Sequence, residues 1–197
     1  MKTYLATIIS LLIFSSFCLG QNNSTQTLSN QEFNWTMQLP VGFERVDAKE
    51  WMRLQNRGQD AIEDTYEGEV VNQTQPIFVF KSGQFNYIEA NVQPFDLEIE
   101  GDYLETRRQL GVVLYETFMA QMPGVKVDTS FATETIDGLN FQRFQFKVQY
   151  PNSVVLYGLM YSRLFDERDL TVNIIYLDEA KGAEMLEAWR ASRFGEE

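Results

Sequence analysis

Two stretches near the C-terminal end restrict this chain more than any others. VVLYGLMY, beginning at Val154, and TVNIIYL, beginning at Thr171, place large apolar side chains at both odd and even positions. Successive side chains of a strand point to opposite faces of the sheet. A strand apolar on both faces must therefore be covered on both faces. Two further strand-like stretches precede them, at 125–136 and 141–150. In the second of these, Phe144, Phe146, Val148 and Tyr150 alternate with polar residues. The connections are short: Asp137-Gly138, Pro151-Asn152, and the cluster Asp166-Glu167-Arg168-Asp169. Connections of that length favour antiparallel pairing, because parallel neighbours need a long crossover.

The rest of the chain supplies the cover. FNWTMQLPVGF opens with Phe33, Trp35, Met37 and Leu39 on one face and Asn34, Thr36 and Gln38 on the other, and Pro40 and Gly42 end the strand. Residues 47–66 read as a helix, with Asp47 and Glu50 in capping-box spacing and Trp51 on its apolar side. Gly58 within it either breaks the helix or brings it close to the sheet. Residues 76–82 and 86–95 read as two strands about a turn at Gly83. A second helix covers 102–122. It is capped by Asp102 with Glu105, carries a stripe of Leu104, Leu110, Gly111, Leu114, Phe118 and Met122, and is stopped by Pro123-Gly124. A closing helix over 180–193 places Gly182, Met185, Leu186 and Trp189 on one side. Strand, helix, two strands, helix, four strands and helix make an α+β three-layer sandwich, a mainly antiparallel sheet with helices on both faces. One domain is expected over residues 32–197.

At the front, MKTYLATIISLLIFSSFCLGQ has the parts of a secretory leader. Lys2 is the positive end, an uncharged apolar run follows, and small residues precede a cut after Gly20. The run is short for a spanning helix, and Phe17 beside Cys18 does not suit a lipid-modified cysteine. A mature chain from Gln21 is expected to be exported, to the periplasm or beyond the cell, with no spanning segment left. Residues 21–31 (QNNSTQTLSNQ) read as a loose polar tail. Loss of the leader removes the single cysteine and takes the formal charge from −12 to −13. Export without disulfides fits a bacterial envelope better than a small cysteine-stapled module. Such acidity repels phosphate backbones, so nucleic acid is excluded as a partner class. Asn22, Asn23, Asn34 and Asn72 each begin an N-x-Ser/Thr triplet, which carries little weight in a bacterial reading.

The chain has no histidine. Without His or a mature Cys there is no Ser-His-Asp triad, no Cys-His pair and no ordinary zinc site. Glycine-rich phosphate loops are also missing, so neither catalytic residues nor a cofactor are expected. Asp96, Glu98, Glu100 and Asp102, with Gly101, mimic the alternating acids of a calcium loop. Arg107 stands where the bidentate Glu belongs, and Leu97 and Ile99 give strand-like alternation. A solvated acidic edge is the better reading. Arg107 itself falls within the apolar stripe of its helix, between Tyr103, Leu104, Leu110, Gly111 and Leu114. A guanidinium there needs a fixed partner, and its expected role is structural. Trp35, Trp51 and Trp189 are expected to build the core, as are most of the aromatic residues.

FNWTMQLPVGF, the order of elements and the closing MLEAWRASRF together resemble the PsbP-like superfamily over about 33–194. That group includes the extrinsic subunit of photosystem II, a nuclear Ran-binding protein and many small exported bacterial proteins. The resemblance implies a binding or assembly module without catalysis, its partner an unnamed envelope or extracellular protein. A carrier of small apolar ligands or lipids, with an internal cavity, is the alternative. Histidine metal ligands of photosynthetic members have no counterpart here.

Overall fold

The computed structural model describes residues 26–195. The leader, its cleavage point, Asn22 and Asn23 lie outside the described residues. The chain forms β1 (Gln26–Asn30), β2 (Trp35–Leu39), β3 (Glu44–Arg45), α1 (Ala48–Tyr66), β4 (Gln75–Lys81) and β5 (Tyr87–Pro94). It continues through α2 (Leu97–Glu100), α3 (Tyr103–Gln121), β6 (Lys126–Ile136), β7 (Leu139–Gln149), β8 (Val155–Phe165), β9 (Arg168–Tyr176), α4 (Glu179–Arg190) and β10 (Arg193–Phe194). Seven strands make one antiparallel sheet in the order β3-β4-β5-β9-β8-β7-β6, and β1-β2-β10 make a small second sheet. The β6–β7 ladder runs unbroken over eleven pairs from Lys126↔Gln149 to Ile136↔Leu139. Its loop is Asp137-Gly138, with φ of 47° and 81°, the mirror-image turn whose twist matches a hairpin.

The large sheet has two differently covered faces. One packs on the small sheet and α4, around Trp35, Phe80, Ile88, Phe141, Leu159, Tyr161, Val172, Ile174 and Trp189, all buried. The other lies under α3, where Phe144, Phe146 and Val148 meet Leu114 and Phe118. In β2 the sides fall as the alternation requires: Trp35, Met37 and Leu39 are buried, Thr36 and Gln38 exposed. The Trp35 ring packs edge-on to Trp189 at 5.8 Å and stacks on Phe194 at 5.9 Å.

Several expectations need correction. Residues 26–30 are not a loose tail: β1 pairs with all five residues of β2, burying Leu28 among polar neighbours. One apolar residue in a polar run gives too little pattern to show this. The closing helix ends at Arg190, and Arg193-Phe194 form β10, paired with Thr36 and Trp35. Gly58 neither breaks α1, which runs through it, nor approaches the sheet, since a Cβ there would meet nothing within 4 Å. The 96–102 stretch is a helical turn, not a strand-like edge. Asp96 accepts the Glu98 N–H at 2.8 Å and caps α2, leaving Leu97 and Ile99 exposed. Leu104 lies outside the sheet-facing stripe of α3 and is also exposed.

Candidate functional site

Beneath α1 and α3 the strands carry a row of polar side chains where the other face is apolar. On β5 these are Glu89, Asn91 and Gln93; on β9 they are Asp169, Thr171 and Asn173. The register places Glu89 opposite Asn173, Asn91 opposite Thr171 and Gln93 opposite Asp169. The signal was present in the sequence, because Ile88, Ala90 and Val92 alternate with the first trio and Leu170, Val172 and Ile174 with the second. It is masked in the second, where Ile175, Tyr176 and Leu177 make TVNIIYL read as apolar on both faces. Thr and Asn also pass as ordinary strand residues until their burial is known.

At one end of the row Arg107 reaches Asp169, Nη1 to Oδ2, at 2.9 Å, with 11% and 0% of the two side chains exposed. The other Asp169 oxygen accepts the Tyr103 hydroxyl at 2.7 Å, and Gln93 Nε2 donates to Oδ2 at 3.2 Å. The guanidinium also lies over the Tyr103 ring, 5.4 Å from its centre. Burial pushes the Asp169 carboxyl above its ordinary range, opposed by Arg107, Tyr103 and Gln93. A carboxylate held by three donors in a dry place fixes the first turns of α3 on β9. Of the four acids of the calcium-like stretch, Glu100 lies near enough to push the Asp169 carboxyl further up.

At the other end Glu89 is 7% exposed and has no cation among its partners. Asn173 and Asn91 both donate to its Oε1, at 2.6 and 3.0 Å, and the carbonyl oxygens of the two amides are themselves buried without partners. Burial raises this carboxyl to about 7, with the two amides pulling the other way. Trp35 and Trp189 are buried in the opposite core, whereas Trp51 on α1 is half-buried.

Only a small void accompanies these groups. Between α3 and the sheet, bounded by Arg107, Gly111, Phe131, Gln142 and Ser162, lies a cavity of about 20 Å³, room for roughly one water. A wider groove of about 620 Å³ opens at the far end of the sandwich, with Phe33, Phe165 and Phe194 inside and Glu32, Asp137 and Asp166 around it. Two of its three acids already hold arginines, Glu32 with Arg168 at 3.1 Å and Asp137 with Arg193 at 3.5 Å.

The outer surface is more distinctive. Leu104, Val112, Tyr115 and Met119 of α3 are 39–52% exposed. At 100° per residue they form one stripe, with the exposed Arg108 within it, beside the sheet-facing line of Arg107, Leu114 and Phe118. α1 lies on the other flank, where Tyr66 donates its hydroxyl to Glu116 and Gln121 to Thr65. On the open flank α3 overhangs β6, and Phe131 of that strand, 45% exposed, packs where a Cβ on Gly111 would overlap its ring. β6 is the last strand of its sheet, and among the described residues nothing pairs with its outer edge. Among them, too, no helix is long and apolar enough to cross a membrane.

Neither a protein-family model nor a curated protein matches the chain. Among solved structures it matches cyanobacterial PsbP (CyanoP) from Synechocystis sp. PCC 6803 at 11% identity, with a TM-score of 0.57 over 88% of this chain and 94% of that one. At that identity the likeness is one of fold alone, and it extends over nearly the whole of both chains. An antiparallel sheet between a helical layer and an aromatic core, closed by a C-terminal strand, is thus the PsbP-like fold, and this chain has it.

Proposed function

We propose that this chain is an exported, non-catalytic binding or assembly module of the cell envelope or extracellular space, and that its docking surface is the open flank of α3 with the edge of β6. The observation that carries this is the apolar stripe of Leu104, Val112, Tyr115 and Met119 beside Phe131. Contiguous apolar surface on a folded protein marks an interaction site more often than scattered exposed residues do. A free strand edge beside it offers main-chain hydrogen bonds to an incoming extended segment. The PsbP-like fold is compatible with such a role, and the leader-like N-terminus supports export. The lipid-carrier alternative calls for an internal cavity of several hundred cubic ångströms. The space beneath α3 is about 20 Å³.

The test is capture of envelope proteins from the native host on immobilised wild-type chain and on Val112→Lys/Met119→Lys. Proteins retained by the first and lost by the second support the reading. Identical sets on both, with the variant shown to be folded, overturn it.

A further inference from the structure

The docking surface joins a helix flank to a strand edge, and each is self-complementary. The two edges of the large sheet differ. On one side the sheet ends in β3, which is two charged residues, Glu44 and Arg45. A short charged edge resists pairing with another chain. On the other side it ends in the eleven residues of β6, KVDTSFATETI, and neither a proline nor a bulge interrupts their ladder with β7. Residues that close a two-residue hairpin loop form a hydrogen-bonded pair, and bonding alternates along the strand. Counted back from Ile136, the even-numbered residues therefore bond β7. Val127, Thr129, Phe131, Thr133 and Thr135 turn their N–H and C=O groups to the open edge.

Resting on the docking surface argued above, we propose that its occupant is a second copy of the chain, in a two-fold dimer that pairs β6 with β6 about Phe131 and α3 with α3 about Val112. The axis runs the two strands antiparallel. It sets Thr129 opposite Thr133 and Val127 opposite Thr135 of the second copy, so each outward backbone group finds another. Gly111 of α3 packs on Phe131, while Phe118 lies on Phe146, the residue that faces Thr129. α3 thus runs antiparallel to β6, and the same axis passes the turn that holds Val112. Leu104 of one copy then meets Met119 of the other. Arg108 meets Tyr115, which gives the single cation within the stripe an aromatic face. No acid lies in the stripe to oppose its own kind.

Charge on the opposite face of β6 also matches. The exposed Asp128 falls opposite Glu134 of the second copy. Glu134 already holds Arg143 at 2.8 Å and Arg190 at 2.6 Å. Asp128 therefore meets two arginines against one carboxylate, and 49% of the Arg190 side chain is open to receive it. A foreign strand could use the same backbone groups, but these side-chain matches recur on both sides of the axis only with the chain itself.

The test is the solution mass of the chain purified from the native host, by light scattering over a concentration series. Wild type should show twice the mass of one chain. Thr129→Pro/Thr133→Pro removes two outward N–H groups and no bond to β7, so a folded variant of half the wild-type mass is expected. Val112→Lys/Met119→Lys should halve the mass through the helix, whereas Met52→Lys on the exposed side of α1 should leave the dimer intact. A wild type of single mass at every concentration overturns the proposal, as does a dimer that survives in both surface variants. Should the proline variant fail to fold, the lysine variant decides. A monomeric wild type that still loses its envelope partners on Val112→Lys/Met119→Lys overturns the dimer and leaves the docking surface standing.

Discussion

The two faces of the large sheet are built to different rules. Toward α4 and the small sheet, the core is a continuous aromatic assembly, with Phe141 and Trp189 ring centres 5.0 Å apart and Phe33 and Phe165 at 5.1 Å. Glu134 sits at its rim, paired with Arg143 and Arg190. Burial opposes ionisation there, but Arg190 and Tyr161 hold the carboxyl below its ordinary range. Toward α1 and α3, the sheet gives way to a polar row whose two carboxylates differ in their partners: Asp169 has an arginine and Glu89 has none. Apolar contact secures the first face wherever shape allows. The second depends on particular donors, which makes it sensitive to single atoms and to pH.

The strongest test of the aromatic face is Trp189→Ala. Trp189 is fully buried and touches Trp35, Phe141, Tyr161 and Phe194. Its loss should destabilise the fold by about 3–5 kcal/mol, read from the urea midpoint. An unchanged midpoint would remove the claim that this face carries the fold. On the polar face, Arg107→Ala should be nearly as damaging, about 3–5 kcal/mol, because Asp169 is left charged and dry. Arg108→Ala on the exposed side should change stability by no more than about 0.5 kcal/mol. Equal effects from the two arginines would show that the ion pair does not anchor α3.

Glu89 should make the two faces respond differently to pH. Its folded-state carboxyl titrates near 7, above the ordinary value of 4.5. The folded state therefore binds this proton more tightly than the unfolded one. The stability it adds is fully present below the ordinary carboxylate range and is lost as pH rises through about 7. Across that window wild type should lose about 3 kcal/mol relative to Glu89→Gln, measured by denaturation at each pH. Parallel stability curves would sink this assignment. A smaller loss than at Glu89 is expected at Gly158, where a Cβ would overlap the Phe146 ring under α3. Gly158→Ala should cost about 1–3 kcal/mol by forcing that ring aside. A neutral result would mean that the small apolar cluster on this face is loosely packed.

The sequence determined much of this molecule through period alone. Trp35, Met37 and Leu39 had to share a face, Asp47 and Asp102 had to start helices, and Asp137-Gly138 had to turn a hairpin, because each follows from local geometry. Arg107 was also marked in advance, since a guanidinium in an apolar stripe demands a partner. That the partner is Asp169, sixty-two positions away, was decided only when β9 was laid beside β5. The same holds for Glu89, a commonplace strand residue until the fold buries it beside two asparagines. β1 and β10 were illegible for a related reason. Gln26–Asn30 and Arg193-Phe194 have little pattern of their own, and become strands because β2 offers both of its edges. Periodicity is written along the chain, whereas burial and pairing belong to the neighbours that the fold supplies.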